Sequence, residues 1–125
     1  TDPAQEQQRQ QTNVKSTPVK EPISELQERI RKDPGNTALL RRLGKRFHES
    51  GKPHEGEKQF LKALDLEPQN IENHFALAEF YNSMGLKIKA FKHLNIILQL
   101  QPNNAQAMSL LNLKKSKKAL YEIEH

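Results

Sequence analysis

Beyond Pro22, apolar side chains recur along the chain at helical intervals, and residues that start or stop helices separate the recurrences. Leu39, Leu40, Leu43 and Phe47 stand at i, i+1, i+4 and i+8, one face of a helix; Phe60, Leu61, Ala63 and Leu64 mark a second. Asn36, Asn70 and Asn104 occupy positions where an N-cap is wanted, because an amide oxygen accepts from a free N–H of the first turn. Gly51 and Gly85 supply the left-handed residue that ends a helix. Pro53 suits a first helical turn, where its missing N–H costs nothing, and Pro68 and Pro102 close the helices before them. These signals predict helices over 24–32, 37–50, 53–66, 71–84, 87–100 and 105–121, an all-α chain.

The pattern repeats with a period of 34. Leu43 recurs as Leu77 and Leu111, Phe47 as Tyr81, Gly51 as Gly85, Phe60 as Leu94, Leu64 as Leu98, and Leu66 as Leu100. Pro34, Pro68 and Pro102 share the spacing, as do the three asparagines. A fixed period of this length, with two helices per unit, is the mark of a stacked helical array. In the first full unit Leu40, Leu43, Gly44, Phe47, Gly56, Phe60 and Pro68 fall on the signature places of the tetratricopeptide repeat (TPR); in the second, His74, Leu77, Ala78, Tyr81, Ala90, Leu94 and Pro102 do. The chain therefore resembles the TPR family over residues 24–121. Its departures are His74 in a place that is usually large and apolar, and a last unit in which Met108 and Leu111 match but Asn112 and Lys115 do not. The resemblance implies a right-handed solenoid of antiparallel helix pairs. Residues 24–36 are a half repeat, 37–70 and 71–104 full repeats, and 105–121 a capping helix or truncated repeat. Small residues at Gly44, Gly56, Ala78 and Ala90 are expected where paired helices approach closely.

Residues 1–22 hold no Leu, Ile, Phe, Tyr or Trp, so they cannot bury enough apolar surface to offset their ordering entropy. They are expected to be a disordered tail or linker, dispensable for folding. The chain of 125 residues starts at Thr1, which reads as a processed protein or a piece of a longer one. With no cysteine it has neither disulfides nor thiolate chemistry. No apolar run reaches the length of a membrane span and no signal-peptide core is visible, so a soluble, cytoplasmic protein is the default expectation. The net charge of +5 is spread along the chain, with one dense block at Lys114, Lys115, Lys117 and Lys118 that is expected to solvate a helix. His48, His54, His74, His93 and His125 form no metal-binding spacing, no glycine-rich phosphate loop exists, and no carboxylate pair has a catalytic setting. No catalytic residue, metal or cofactor is assigned, and an enzyme is not expected.

Because the family resemblance implies that the first helix of each pair lines a concave groove, groove candidates follow from it. They are Ala38, Arg41, Arg42, Lys45, His48 and Glu49; then Glu72, Phe75, Ala76, Glu79, Asn82 and Ser83; then Gln106, Ser109, Leu110 and Leu113. Phe75 and Leu113 are expected to form an apolar seat beside a cationic wall. The implied partner is a peptide or protein carrying an acidic group next to an apolar side chain, and the implied role is a non-catalytic adaptor or scaffold, one end of a larger assembly or co-chaperone. The carboxylate clamp of co-chaperones is not present: its Lys-Asn-Asn-Lys-Arg set is met here by Arg41, Lys45, Ala76, Gln106 and Leu110. Ile88 and Phe91 add apolar surface on helix 87–100, so self-association through that face is an alternative. RNA is the weaker reading, because base-stacking aromatics are scarce outside core positions.

The register carries a direct test. Ala78→Arg forces a charge between two closely packed helices, where an unpaired buried charge is very costly. Circular dichroism should show the second repeat unfolded; wild-type helicity would put the register wrong by at least one residue.

Overall fold

The computed structural model describes residues 20–111. It contains α1 (Ile23–Lys32), α2 (Thr37–Glu49), α3 (Pro53–Leu66), α4 (Ile71–Ser83), α5 (Lys87–Leu100) and α6 (Ala105–Leu110), with no strand among the described residues. The first five match the expected helices to within one residue at each end. The expected continuation of the last helix to residue 121 lies outside the described residues, as do residues 1–19 of the expected tail.

The same local chemistry ends each unit. Asn36, Asn70 and Asn104 cap α2, α4 and α6, accepting from Leu39, Glu72 and Ala107 N–H at 3.2, 2.8 and 2.9 Å. Each cap amide also donates to the side chain three residues before it: Asp33, Glu67 and Gln101. At the other end, Gly51 and Gly85 have φ of 81° and 77°. Their conformation lets Gly51 N–H reach His48 O and Lys52 N–H reach Phe47 O, and 34 residues later Gly85 and Leu86 bond Asn82 and Tyr81 in the same way. Two otherwise orphaned carbonyls are thereby satisfied at each site.

Helices pack in adjacent pairs, α2 on α3 and α4 on α5, with α1 and α6 at the ends. Apolar clusters join the pairs. Leu26 of α1 packs with Leu39, Leu43 and Phe47; Phe60 of α3 packs with Leu77, Phe80 and Tyr81; Ala107 of α6 packs with Phe75, Ala78, Leu94 and Ile97. The α2–α3 pair is the closest. A methyl group built on Gly56 would stand 2.6 Å from Gly44 O, and one on Gly44 would stand 2.8 Å from the Phe60 ring.

The expected end of the tail at residue 22 is moved inward. Glu21 pairs with Arg29 at 3.0 Å and Arg42 at 2.6 Å, its carbonyl accepts from Arg46 Nε, and Pro22 O accepts the first bond of α1. A carboxylate beside three arginines is fixed by charge alone, without the apolar surface on which the tail boundary was judged. Half-exposed ion pairs of this kind contribute little stability.

Gly56→Ala separates helix propensity from packing. Alanine gains about 1 kcal/mol in an open helical position, but here the added carbon meets backbone, and overpacking of that kind costs about 1–3 kcal/mol. The variant should lose stability, with the thermal midpoint falling roughly 4–8 °C per kcal/mol. A raised midpoint would show that α2 and α3 separate freely.

Candidate functional site

A cavity of about 480 Å³ opens between α2 and α4 and reaches α6. From α2 it takes Ala38, Arg41, Arg42, Lys45, His48 and Glu49; from α4, Glu72, Phe75, Ala76, Glu79, Phe80 and Ser83; from α3 and α6, Phe60 and Gln106. Their spacing explains the lining: 38, 41/42, 45 and 48/49 fall on one stripe of α2, and 72, 75/76, 79 and 83 on one stripe of α4. Eight of the expected groove residues, Arg41, Arg42, Lys45, His48, Glu72, Phe75, Glu79 and Gln106, are therefore brought together. Asn82 is not among them. It lines a separate hollow of about 130 Å³ with Ala78, Phe91, Leu94 and Leu110, and Glu79 and Ser83 form the ridge between the two. Ser109 is exposed and borders neither cavity; Leu113 lies outside the described residues.

The wall on α2 is less open than its sequence suggests. Arg41 Nη1 donates to Asn73 Oδ1 at 2.6 Å and to Thr37 Oγ1 at 3.2 Å. Asn73 is fully buried, and its amide donates to Ala63 O and Glu67 O, both at 3.0 Å. Thr37 donates to Glu67 Oε1 at 2.6 Å. Hydrogen bonds from Thr37 and Asn70, and more weakly the Arg41 charge, hold the Glu67 carboxyl below its usual pKa. Arg41 is thus tied into the frame, which corrects its reading as a free groove cation. Arg42 is paired with Glu21. Lys45, Glu72 and Glu79 are exposed and enter no ion pair with any described residue.

The floor is aromatic. Phe80 lies 5.5 Å from Phe60 and 5.1 Å from the edge-on His48 ring. Ser83 gives its hydroxyl proton to Phe80 O, so its oxygen accepts from His48 Nε2–H at 3.0 Å. Phe75 is 5% exposed and belongs to the core with Ala78, Leu94, Ile97 and Ala107. The expectation of an exposed seat at Phe75 is corrected: only its rim borders the cavity, because α5 and α6 cover the rest. Sequence reading missed Phe80, although it stands four residues after Ala76 on the same helical stripe. It also missed Asn73, whose partners are assembled only by tertiary packing.

A second polar group sits behind the groove. His74 Nε2 lies 2.7 Å from Pro68 O, which only an N–H can approach, and His74 Nδ1 lies 3.1 Å from His93 Nδ1. His74 thus fills its atypical place as a buried, bonded side chain. Tyr81 stacks on His93 with 5.8 Å between centroids and donates to Glu57 at 2.7 Å. Burial, followed by Glu57, pushes the Tyr81 phenol up. Burial, followed by the positive charge available at His74 and Lys92, pushes His93 down to about 4. Among the described residues no group of three or more His, Cys, Asp or Glu can hold a metal, and no helix is long and apolar enough to cross a membrane.

The other candidate surface, on α5, is open. Ile88 is 80% and Phe91 42% exposed. No model of a known protein family matches the chain, and no characterised protein matches its sequence significantly.

His93 gives this region a pH signature. Its folded-state pKa lies below the ordinary imidazole value, so the folded state favours the neutral form. Its contribution is full above about pH 6.5 and falls as the pH drops towards 4, where both states bind the proton. Denaturation of His93→Gln should show a smaller loss of stability between pH 7 and 4 than wild type; parallel curves would contradict the assignment.

Proposed function

We propose that this chain is a TPR module that binds a peptide segment of a partner protein in the groove between α2 and α4, as an adaptor or scaffold rather than a catalyst. The 34-residue period, the two helices per unit and the small residues at the α2–α3 contact support the family reading; the side chains around the cavity support the function. One observation carries it: an open groove of about 480 Å³ has an aromatic floor and, among the described residues, unpaired charges of opposite sign on its two walls. Concave, largely apolar sites with a few placed polar groups are where ligands bind. An apolar side chain of the peptide would rest on Phe80 and the Phe75 rim, with a neighbouring carboxylate directed to Lys45. Arg41 would add its charge while its hydrogen bonds keep it in place.

The exposed Ile88 and Phe91 favour a second reading, self-association through α5. A solution mass above that of the monomer, restored to monomer by Phe91→Asp, would support it.

Lys45→Glu tests the first reading better than any change at Arg41, since Arg41 also holds Asn73. With a library of short peptides placing Asp or Glu beside Leu, Ile or Phe, wild type should select binders. Lys45→Glu should weaken them roughly tenfold, about 1.4 kcal/mol, at unchanged thermal stability. Equal binding by the variant, or no selected peptides, would overturn the reading.

A further inference from the structure

We infer that the groove is a docking site for the chain's own C-terminal segment, residues 112–125, so that a partner peptide must displace it. The inference rests on the proposal that this groove accepts a peptide. Those residues lie outside the described part of the structure, and the argument starts from where they are attached and what they carry.

The supports stand side by side in a fixed order. α2 packs on α4, and α6 lies beside α4 through Ala107, which packs on Phe75 and Ala78. Gln106 forms the α6 rim of the cavity, and the described chain ends five residues later at Leu111. A segment leaving α6 and crossing the groove therefore meets α4 first and α2 last. On α4 it passes the exposed Glu72 and Glu79; on α2 it reaches Lys45 and Arg42. Between these lie the rings of Phe60 and Phe80.

The segment carries complementary chemistry in the same order. Lys114, Lys115, Lys117 and Lys118 come first, facing the acidic α4 wall. Leu120, Tyr121 and Ile123 follow, interleaved with Glu122 and Glu124, which face the cationic α2 wall. Alternation of apolar and acidic residues in an extended segment directs Tyr121 and Ile123 to one side, Glu122 and Glu124 to the other. Reach is sufficient: adjacent helix axes are about 8–10 Å apart, while eleven residues from Leu111 to Glu122 extend up to roughly 36 Å. Docking also gives the unpaired Glu72, Glu79 and Lys45 opposite charges, and it places the only dense basic block of the chain against the acidic wall.

The native chain has no cysteine, so a disulfide introduced into the full-length protein is an unambiguous probe. Ala76→Cys lies on the groove wall, and Ala119→Cys sits between the lysines and the apolar residues. On mild oxidation this pair should give a monomeric disulfide at least about tenfold faster than a control pair of Ala119→Cys with Lys62→Cys, an exposed position on α3. Lys117→Glu/Lys118→Glu and added salt should slow it, because screening acts over about 10 Å at 0.1 M. A rate equal to the control overturns the inference, and so do disulfides formed only between two molecules, which would place another copy's segment in the groove. A second measurement uses a chain free of cysteine. Glu122→Lys/Glu124→Lys should shift the amide resonances of Arg42 and Lys45 and tighten the library peptides several-fold; unshifted resonances overturn the docking. Selected peptides without a fast monomeric disulfide would sink the docking and keep the peptide-binding reading. A fast disulfide in a chain whose opened tail variants still select no peptide would leave a self-docking segment and remove that reading.

Discussion

Asn73 holds a side-chain amide where no solvent reaches, and every polar atom of that amide must find a partner inside the protein. It does so by reaching Ala63 O and Glu67 O at the end of α3 and by receiving the Arg41 guanidinium of α2. Three helices from two units are tied at one point. The separation and rotation of α4 relative to the α2–α3 pair, and with them the width of the groove, follow from that junction. Thr37, Glu67 and Asn70 extend the junction to the ends of the helices, so the network is closed on all sides. A satisfied buried network rigidifies its surroundings, whereas one left half-satisfied would cost the desolvation of each orphaned group.

The same junction changes how the groove's charges count. Arg41 and Lys45 look alike in sequence, one helical turn apart on α2. Arg41 spends its donors on Asn73 and Thr37, whereas Lys45 keeps its ammonium in solvent. The acidic wall of α4 likewise separates into Glu72 and Glu79, which face the cavity, and Glu67 at the α3–α4 junction, whose carboxyl is stabilised by the hydroxyl and amide it accepts from. Recognition through the groove therefore rests on a few unpaired charges over an aromatic floor, held by a larger number of paired ones that fix their positions.

Behind that floor the α4–α5 interface carries polar chemistry of a different kind. His74 and His93 share a short contact between ring nitrogens, and two like charges cannot occupy both rings at that distance at low cost. With Tyr81 stacked on His93 and anchored to Glu57, this cluster links α3, α4 and α5 on the side away from Asn73. The two polar clusters bracket the apolar core of Phe60, Leu77 and Ala90.

Helix limits were legible because their causes are local. An asparagine cap, a glycine with positive φ or a first-turn proline acts within a few residues of itself, and the spacing of Leu39, Leu43 and Phe47 sets a face without reference to any partner. The stripes that line the groove were legible for the same reason, since helical geometry alone places Arg41 and Lys45, or Glu72 and Glu79, on one side. What those side chains do there was not. Whether Arg41 is free or committed depends on Asn73, 32 positions away, and whether Phe75 is exposed depends on α5 and α6 covering it. The pairing of His74 with His93 and the grip of Glu21 on Arg29 and Arg42 are of the same kind. Local signals fix where a helix begins and which way a residue points; packing between helices decides which charges are neutralised, which rings are covered and which groups remain open to a partner.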